Sequence, residues 1–205
     1  KLTNTNLENT VLTNTILNCV GNSVCSTMDL AEMTLKGVDL TNANLSGVDL
    51  SGRDLTGTIL AGANLSGKDL TGTILKGADL TDAVLPSVSL SGKDLRKTIF
   101  NGVNLSGKDL SGASLWYASF KNTNLKNTNL NGADLMMTDL SKIKNKSLAG
   151  ADLTNASFFL SNLSGVDLSD VILKQTLFTQ ADLSGLDFTV TSNSNFDGSI
   201  FTKAN

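Results

Sequence analysis

Side chains suited to chemistry are few in this sequence. The chain has two cysteines, Cys19 and Cys25, and no histidine. Histidine is the commonest general base in enzymes and the commonest zinc ligand, so its absence weighs strongly against a catalytic or zinc-dependent role. Serine and threonine are abundant, yet neither a base nor a Gly-rich nucleophile elbow accompanies them. We therefore predict a protein that is not an enzyme and that uses no cofactor and no metal.

The two cysteines are six residues apart, so a short loop would bring them within bonding distance. A disulfide between Cys19 and Cys25 would favour an extracytoplasmic compartment. The alternative is a pair of half-buried thiols, because Cys25 falls where an apolar core residue is due. The sequence leaves both alternatives open, and it leaves the localisation open with them.

Charge and hydropathy narrow the classes of partner. Sixteen basic residues oppose 19 acidic ones, and the net charge of −3 is too small to predict a nucleic acid or a membrane surface as the partner. No apolar run approaches the length of about 20 residues that a transmembrane helix needs. No cationic start followed by an apolar stretch predicts a signal peptide. Since the chain starts at Lys1, we expect a processed product or a domain of a larger chain.

The strongest pattern in the sequence is a five-residue period. Every fifth residue from Leu30 to Leu140 is leucine or phenylalanine, without exception. Neither a helix nor an ordinary strand needs such a period. A short repeat at fixed spacing is typical of a solenoid, in which each repeat buries its apolar residue against the repeats above and below. We call this leucine or phenylalanine the centre of its unit.

The other positions of the unit predict a short strand followed by a corner. The residue two before the centre is usually small, and it points inward with the centre because side chains alternate along extended backbone. Asp or Asn immediately before the centre, and Ser or Thr immediately after it, would then face water. Two residues after the centre, Gly or Asn tolerates the positive φ of a tight turn.

Units such as Val38-Asp39-Leu40 and Ala63-Asn64-Leu65 resemble the pentapeptide-repeat family, whose consensus is a small residue, Asp or Asn, and Leu. The resemblance extends over nearly the whole chain. It implies an all-β fold, a right-handed quadrilateral β-helix with four units per coil, a leucine-filled axis and no catalytic residues. Some members of the family resemble the DNA duplex and bind type II topoisomerases, while others have no assigned activity.

The repeat is interrupted three times, near residues 18–29, 141–147 and 189–195. If Cys25 is a centre, each interruption is a step of eight residues between centres. A constant surplus of three residues predicts a bulged corner through which the winding continues. We therefore predict a single domain over residues 1–205, with about ten coils stacked about 4.8 Å apart.

If four units close a coil, residues 20 apart, or 23 apart across a bulge, lie one above the other. Large side chains then collect after the centres at one corner, over four successive coils. They are Arg96, Lys97, Trp116, Tyr117, Met136, Met137, Phe159 and Leu160. Aromatic residues, Met and Arg are enriched in protein interfaces, so we interpret this corner as the docking surface for a protein partner of unknown identity. The alternatives are packing beneath the loop around residues 142–146, or drift without consequence.

A second face stacks acidic residues just before their centres. They are Asp29, Asp49, Asp69, Ser89, Asp109, Asn129 and Asp152. Such a ladder could imitate a phosphate backbone, but Ser89 and Asn129 interrupt it and the net charge is small for a duplex mimic. A DNA-mimic regulator of a type II topoisomerase is therefore an alternative function. The other is a structural spacer in a larger surface or secreted protein, with self-association end to end or through a face. Direct nucleic-acid binding is not expected.

Four units place a cation at the inward position, which is the clearest departure from the family pattern. They contain Arg53, Lys68, Lys93 and Lys108. A buried, unpaired cation would be very costly, so we expect these side chains to run along the wall and to turn their charge toward the neighbouring aspartate. The aspartates are Asp54, Asp69, Asp94 and Asp109. A ligand-binding role for these cations is the alternative.

Overall fold

The computed structural model describes residues 35–43, 45, 48–189 and 196–205, and in these ranges the chain winds as a right-handed quadrilateral β-helix. The predicted fold class is confirmed. Cys19, Cys25, Asp29 and the interruption near residues 18–29 lie outside the described residues. Whether residues 1–205 form a single domain stays a prediction.

Each side of a coil contributes one isolated parallel β-bridge instead of a long strand. Bridges join Asp39 to Ile59, and Ile59 to Asp79, so each coil takes 20 residues. In the described ranges, the helical structure is a short 3-10 helix at Lys144–Lys146. No helix in these ranges has the length and apolar character needed to cross a membrane.

We number the four faces by their centres. Face 1 carries Leu115 and Leu135, face 2 carries Phe120 and Leu140, face 3 carries Leu125 and Leu148, and face 4 carries Leu130 and Leu153. Each of these centres is at most 1% exposed. The smaller residues two before the centres are mostly buried too, as the alternation of side chains predicts.

Two sets of backbone hydrogen bonds build every corner. Within a unit, the N–H two before a centre donates to the carbonyl of the preceding centre, as from Val38 to Leu35 at 3.1 Å. Between coils, Leu40 N donates to Ile59 O at 2.7 Å, and Ile59 N donates back to Val38 O at 2.9 Å. The residue after each corner's first position has positive φ, for example 69° at Gly37. Glycine adopts this conformation without steric cost.

Leucines fill the axis, and phenylalanines stack where they replace them. The rings of Phe100 and Phe120 lie 5.7 Å apart, and those of Phe158 and Phe178 lie 5.4 Å apart, each pair nearly parallel. Full burial of one such side chain contributes about 1.5–3 kcal/mol. This column of side chains is the main source of stability, because each coil has no other core.

Buried threonines link successive coils at the inward position. Thr98 is fully buried, and its Oγ1 donates to the carbonyl of Leu75 at 2.8 Å. Thr58 and Thr123 make the same bond to centres one coil earlier, at 2.7 and 2.6 Å. Since a buried hydroxyl without a partner would be costly, this bond explains why threonine is tolerated inside.

The winding continues through the interruption at residues 141–147. Bridges across it span 23 residues, as between Asn129 and Asp152, and the spacing returns to 20 between Ser147 and Asp167. Ile143, in the insertion, is 4% exposed and joins the core. Leu177 pairs with Ile200, also 23 residues apart, across the interruption near 189–195. Both described crossings therefore keep the four faces in register.

Candidate functional site

The eight predicted interface residues lie together at the corner between faces 1 and 2, which we call the Trp116 corner. Backbone bonds stack them directly. Lys97 N donates to Trp116 O at 2.8 Å, Tyr117 N to Met136 O at 3.1 Å, and Met137 N to Phe159 O at 2.9 Å. The surface map drawn from the repeat is therefore correct in its geometry.

The apolar part of the Trp116 corner is open to solvent. Tyr117 is 48% exposed and Leu160 is 43% exposed. Trp116, Met136 and Phe159 are half-buried. Contiguous exposed apolar surface of this kind is uncommon on monomeric proteins and marks interaction sites.

Left-handed backbone carries three of these apolar side chains. The φ angles are 57° at Tyr117, 58° at Met137 and 57° at Leu160. Among the described residues, the other side chains with positive φ are Asn, Asp, Gln or Lys. Earlier coils use glycine at this corner, as at Gly57 and Gly77. For a bulky residue this backbone costs about 1–2 kcal/mol, so the three substitutions oppose folding.

Trp116 adds a second cost at the same corner. Its indole packs against the ring of Tyr117 with centroids 5.2 Å apart. Its Nε1 is buried and is the one buried side-chain N or O atom of the described residues that has no hydrogen-bond partner. An unpaired buried donor costs about 1–3 kcal/mol. The ring is therefore held in a position that internal contacts alone do not favour.

The two cations at the rim differ. Arg96 binds Asp94 in its own unit, with Nε donating to Oδ1 at 2.8 Å and Nη2 to Oδ2 at 2.6 Å. These hydrogen bonds hold the pKa of Asp94 below its ordinary value. Lys97 is exposed, and it forms no ion pair within the described part of the chain. Arg96 is thus engaged locally, whereas Lys97 is available.

The insertion does not cover the Trp116 corner. It lies at the far edge of face 2, where Asn122 N donates to Lys142 O at 2.8 Å. A depression of about 320 Å³ lies between these two edges, with Ser119 on its floor, Met137 on one side, and Lys121 and Lys142 on the other. The loop-packing alternative therefore does not account for the exposed Tyr117 and Leu160.

The acidic ladder of face 4 is interrupted by hydrogen-bond donors. Ser89 Oγ donates to Asp109 Oδ2 at 2.9 Å, and Asn129 Nδ2 donates to Asp109 Oδ1 at 3.1 Å. The hydroxyl and backbone of Ser111, with a smaller contribution from Ser89, lower the pKa of Asp109. Side chains of the ladder therefore bind one another, and its middle does not present a continuous row of carboxylates.

The inward lysines differ from expectation. Their ammonium groups hydrogen-bond main-chain carbonyls of the preceding coil: Lys68 to Val48 at 3.0 Å, Lys93 to Leu70 at 2.8 Å, and Lys108 to Pro86 at 2.7 Å. Burial lowers the pKa of Lys68 and Lys93, which nearby aspartates only partly oppose. Since these ammonium groups already bind carbonyls between coils, the arrangement does not favour a ligand site.

Two features escaped the sequence interpretation. The Asp or Asn before each centre accepts a hydrogen bond from the N–H two residues later, as from Thr41 to Asp39 at 2.9 Å and from Ser66 to Asn64 at 3.0 Å. On face 1, Leu177 and Ile200 occupy this water-facing position and are 37% and 45% exposed. They pair with each other on the coils that follow Phe159. An apolar residue at a normally acidic position was the available signal.

Fold and surface together define a four-sided solenoid repeat protein whose irregular side chains concentrate at one corner. The family model for Pentapeptide repeats matches the chain in eight copies. The matches cover residues 28–52, 54–85, 63–102, 78–116, 104–144 and 161–191. The chain therefore belongs to the pentapeptide-repeat family.

Two solved structures illustrate the likeness. HetL, a pentapeptide repeat protein involved in heterocyst differentiation regulation from the cyanobacterium Nostoc sp. strain PCC 7120, is 24% identical, with 97% of this chain and 88% of HetL covered and a TM-score of 0.44. QnrB1, a plasmid-mediated fluoroquinolone resistance protein, is 26% identical in a trypsin-treated form, with 83% of this chain and 84% of QnrB1 covered and a TM-score of 0.40. No curated protein matches the chain.

Proposed function

We propose that this protein is a non-enzymatic scaffold that docks a protein partner on the Trp116 corner. The observation that carries the proposal is the run of Tyr117, Met137 and Leu160, three apolar side chains on left-handed backbone in successive coils.

These side chains contribute little to folding where they stand. Each keeps an unfavourable backbone conformation, and the exposed half of Tyr117 or Leu160 gains nothing from burial. Glycine at the same corner in earlier coils, as at Gly57, builds the same turn without strain. The unpaired Trp116 Nε1 lies at this corner too. Contact with a partner would bury the apolar surface and give these side chains a role that the isolated chain does not.

The scaffold presents this surface in a fixed arrangement. Inter-coil hydrogen bonds of 2.8–3.1 Å hold the backbone from Lys97 to Phe159 at the spacing of a β-sheet. A partner therefore meets side chains whose backbone is already ordered, which reduces the entropy lost on binding. The mechanism is passive complementarity.

Affinity capture with purified variants tests the proposal. The wild-type protein, Trp116→Ala, Phe159→Ala and the control Ile172→Ala are compared; Ile172 is 45% exposed on face 4, away from the corner. We expect a protein that binds the wild type and Ile172→Ala, and that binding is lost with both corner variants. Purified partner should then change the fluorescence of Trp116, the chain's single tryptophan. If every captured protein binds all four forms equally, the proposal is wrong.

The alternatives receive less support. A duplex mimic needs a dense negative field, but Ser89 and Asn129 bind Asp109 in the middle of the ladder. A purified gyrase supercoiling assay should therefore show no inhibition and no protection. A structural spacer would make no use of the exposed apolar corner.

A further inference from the structure

Two lysines flank the apolar centre of the Trp116 corner. Lys97 lies one coil before Tyr117 at the same corner, where its N–H bonds Trp116 O. Lys121 lies across face 2 in the same coil as Tyr117, at the opposite edge of the depression. Both are exposed, and neither forms an ion pair among the residues that the structure describes.

The depression between these edges has a mixed character. Met137 supplies an apolar wall, Ser119 and Ala118 supply a small floor, and Lys121 supplies a positive opposite edge. Such a site accepts an apolar side chain against Met137 and a negatively charged group beside it. A second lysine, Lys142, borders the depression, but its Nζ is bound to Asp139 Oδ2 at 2.7 Å.

The positive charge at this edge is concentrated against the trend of the chain. The net charge of the whole sequence is −3. Four lysines nevertheless lie along the corner between faces 2 and 3, and all four are exposed: Lys121, Lys142, Lys144 and Lys146. A partner that spans face 2 from the Trp116 corner therefore meets apolar surface first and cations next. Complementary charge would both steer and orient such a partner.

We propose that the Trp116 corner recognises an acidic peptide segment of another protein, in which carboxylates flank an apolar residue. The apolar residue lies against Tyr117 and Met137, and the carboxylates meet Lys97 and Lys121. This inference rests on the proposed function of the corner and adds the chemistry of the partner. It also assigns an opposing role to Asp139, whose carboxylate repels the ligand and holds Lys142.

Peptide selection identifies the preferred chemistry even while the partner itself is unidentified. A random peptide library displayed on phage is selected against the wild-type protein, and enriched sequences are synthesised with a fluorescent label. Each peptide is paired with a version in which Gln replaces every Asp and Glu. We expect enriched peptides to combine acidic and apolar residues, and the Gln versions to bind about tenfold more weakly or less.

Variants of the protein then locate the contact. Lys121→Glu should weaken binding of the acidic peptides about tenfold or more, whereas the control Lys174→Glu, which makes the same charge change at an exposed site on another edge, should stay within about twofold. Asp139→Asn should strengthen binding, because it removes a like charge and frees Lys142. Thermal unfolding of each variant confirms that the fold is intact.

The outcomes separate this inference from the proposed function. Peptides that lose binding with Trp116→Ala but are indifferent to Lys121→Glu would overturn the acidic-partner inference and leave the docking corner standing. Selection that yields nothing sensitive to Trp116→Ala would contradict the docking corner itself. Equal binding of poly-glutamate or single-stranded DNA, without any apolar residue, would reduce the site to a general polyanion surface and would also overturn the inference.

Discussion

Replacing the strained apolar residues of the Trp116 corner by glycine separates binding from stability. The triple variant Tyr117→Gly, Met137→Gly and Leu160→Gly gives this corner the residue that earlier coils use at the same position, as at Gly77. We expect the solenoid to keep nearly all of its stability and to lose partner binding.

The magnitude follows from three terms at each site. Left-handed backbone costs a bulky residue about 1–2 kcal/mol, which glycine recovers. Glycine in turn costs about 0.5–1 kcal/mol through the entropy of the unfolded chain. Tyr117 and Leu160 are nearly half exposed, so removing each side chain forfeits about half of the 1.5–3 kcal/mol that full burial would contribute. These terms nearly cancel, and the net change is about 1 kcal/mol or less per site in either direction.

Urea unfolding monitored by circular dichroism measures this change, and anisotropy of a labelled partner peptide measures binding. The control is Leu115→Ala in the unit that contains Tyr117. Leu115 is fully buried, so its truncation should cost about 2–5 kcal/mol. If the glycine variant lost as much stability as this control, its three side chains would belong to the core and the reasoning for a docking corner would fail.

Three further predictions concern the scaffold. Hydrogen bonds from Ser169 and Ser184 hold the folded pKa values of Asp167 and Asp182 below the ordinary 3.8; their stabilisation is present above pH 3.8 and is lost as pH falls through the folded pKa, so Asn at both sites should flatten the acid limb of a thermal stability profile, and an unchanged limb would contradict this. Gly92→Ala, with open space and φ of 65°, should cost about 1–2 kcal/mol in urea unfolding. Gly72→Ala should cost more, since its new Cβ would lie 3.3 Å from backbone; equal costs would be the contrary result. Phe120→Ala should cost about 3–5 kcal/mol, a loss that the shorter Phe120→Leu largely avoids; calorimetry that finds no difference between them would speak against a packed axis.

The sequence predicted the fold because one periodicity determines both core and register. Leucine at every fifth position and small residues two before it can be buried together only if extended backbone turns a corner in each unit. The extra residues at 141–147 did not disturb this prediction, because the pairing of Asn129 with Asp152 continues the stack with three residues to spare. Placing Trp116, Met136 and Phe159 at one corner needed nothing beyond this count.

Side-chain hydrogen bonds could not be predicted in the same way. The inward lysines were expected to reach aspartates, but Lys93 Nζ lies 2.8 Å from the carbonyl of Leu70. Which acceptor a long side chain reaches depends on ångström-scale offsets between coils, and a repeat pattern contains no information about these. The unpaired Nε1 of Trp116 depends on ring orientation for the same reason. The sequence located the corner, whereas the structure located the strain in it.

Repetition explains why a functional surface can develop at one corner without loss of the fold. Each coil contacts only its neighbours, so stability is nearly a sum of local terms, and a cost at one corner does not spread along the axis. The column from Leu115 to Phe158 remains fully buried beside the strained positions of Tyr117 and Met137. A coil can therefore carry an unfavourable turn residue as long as its own centre is intact. In such a protein, departures from the repeat that oppose local stability, side by side in consecutive coils, indicate the residues retained for binding.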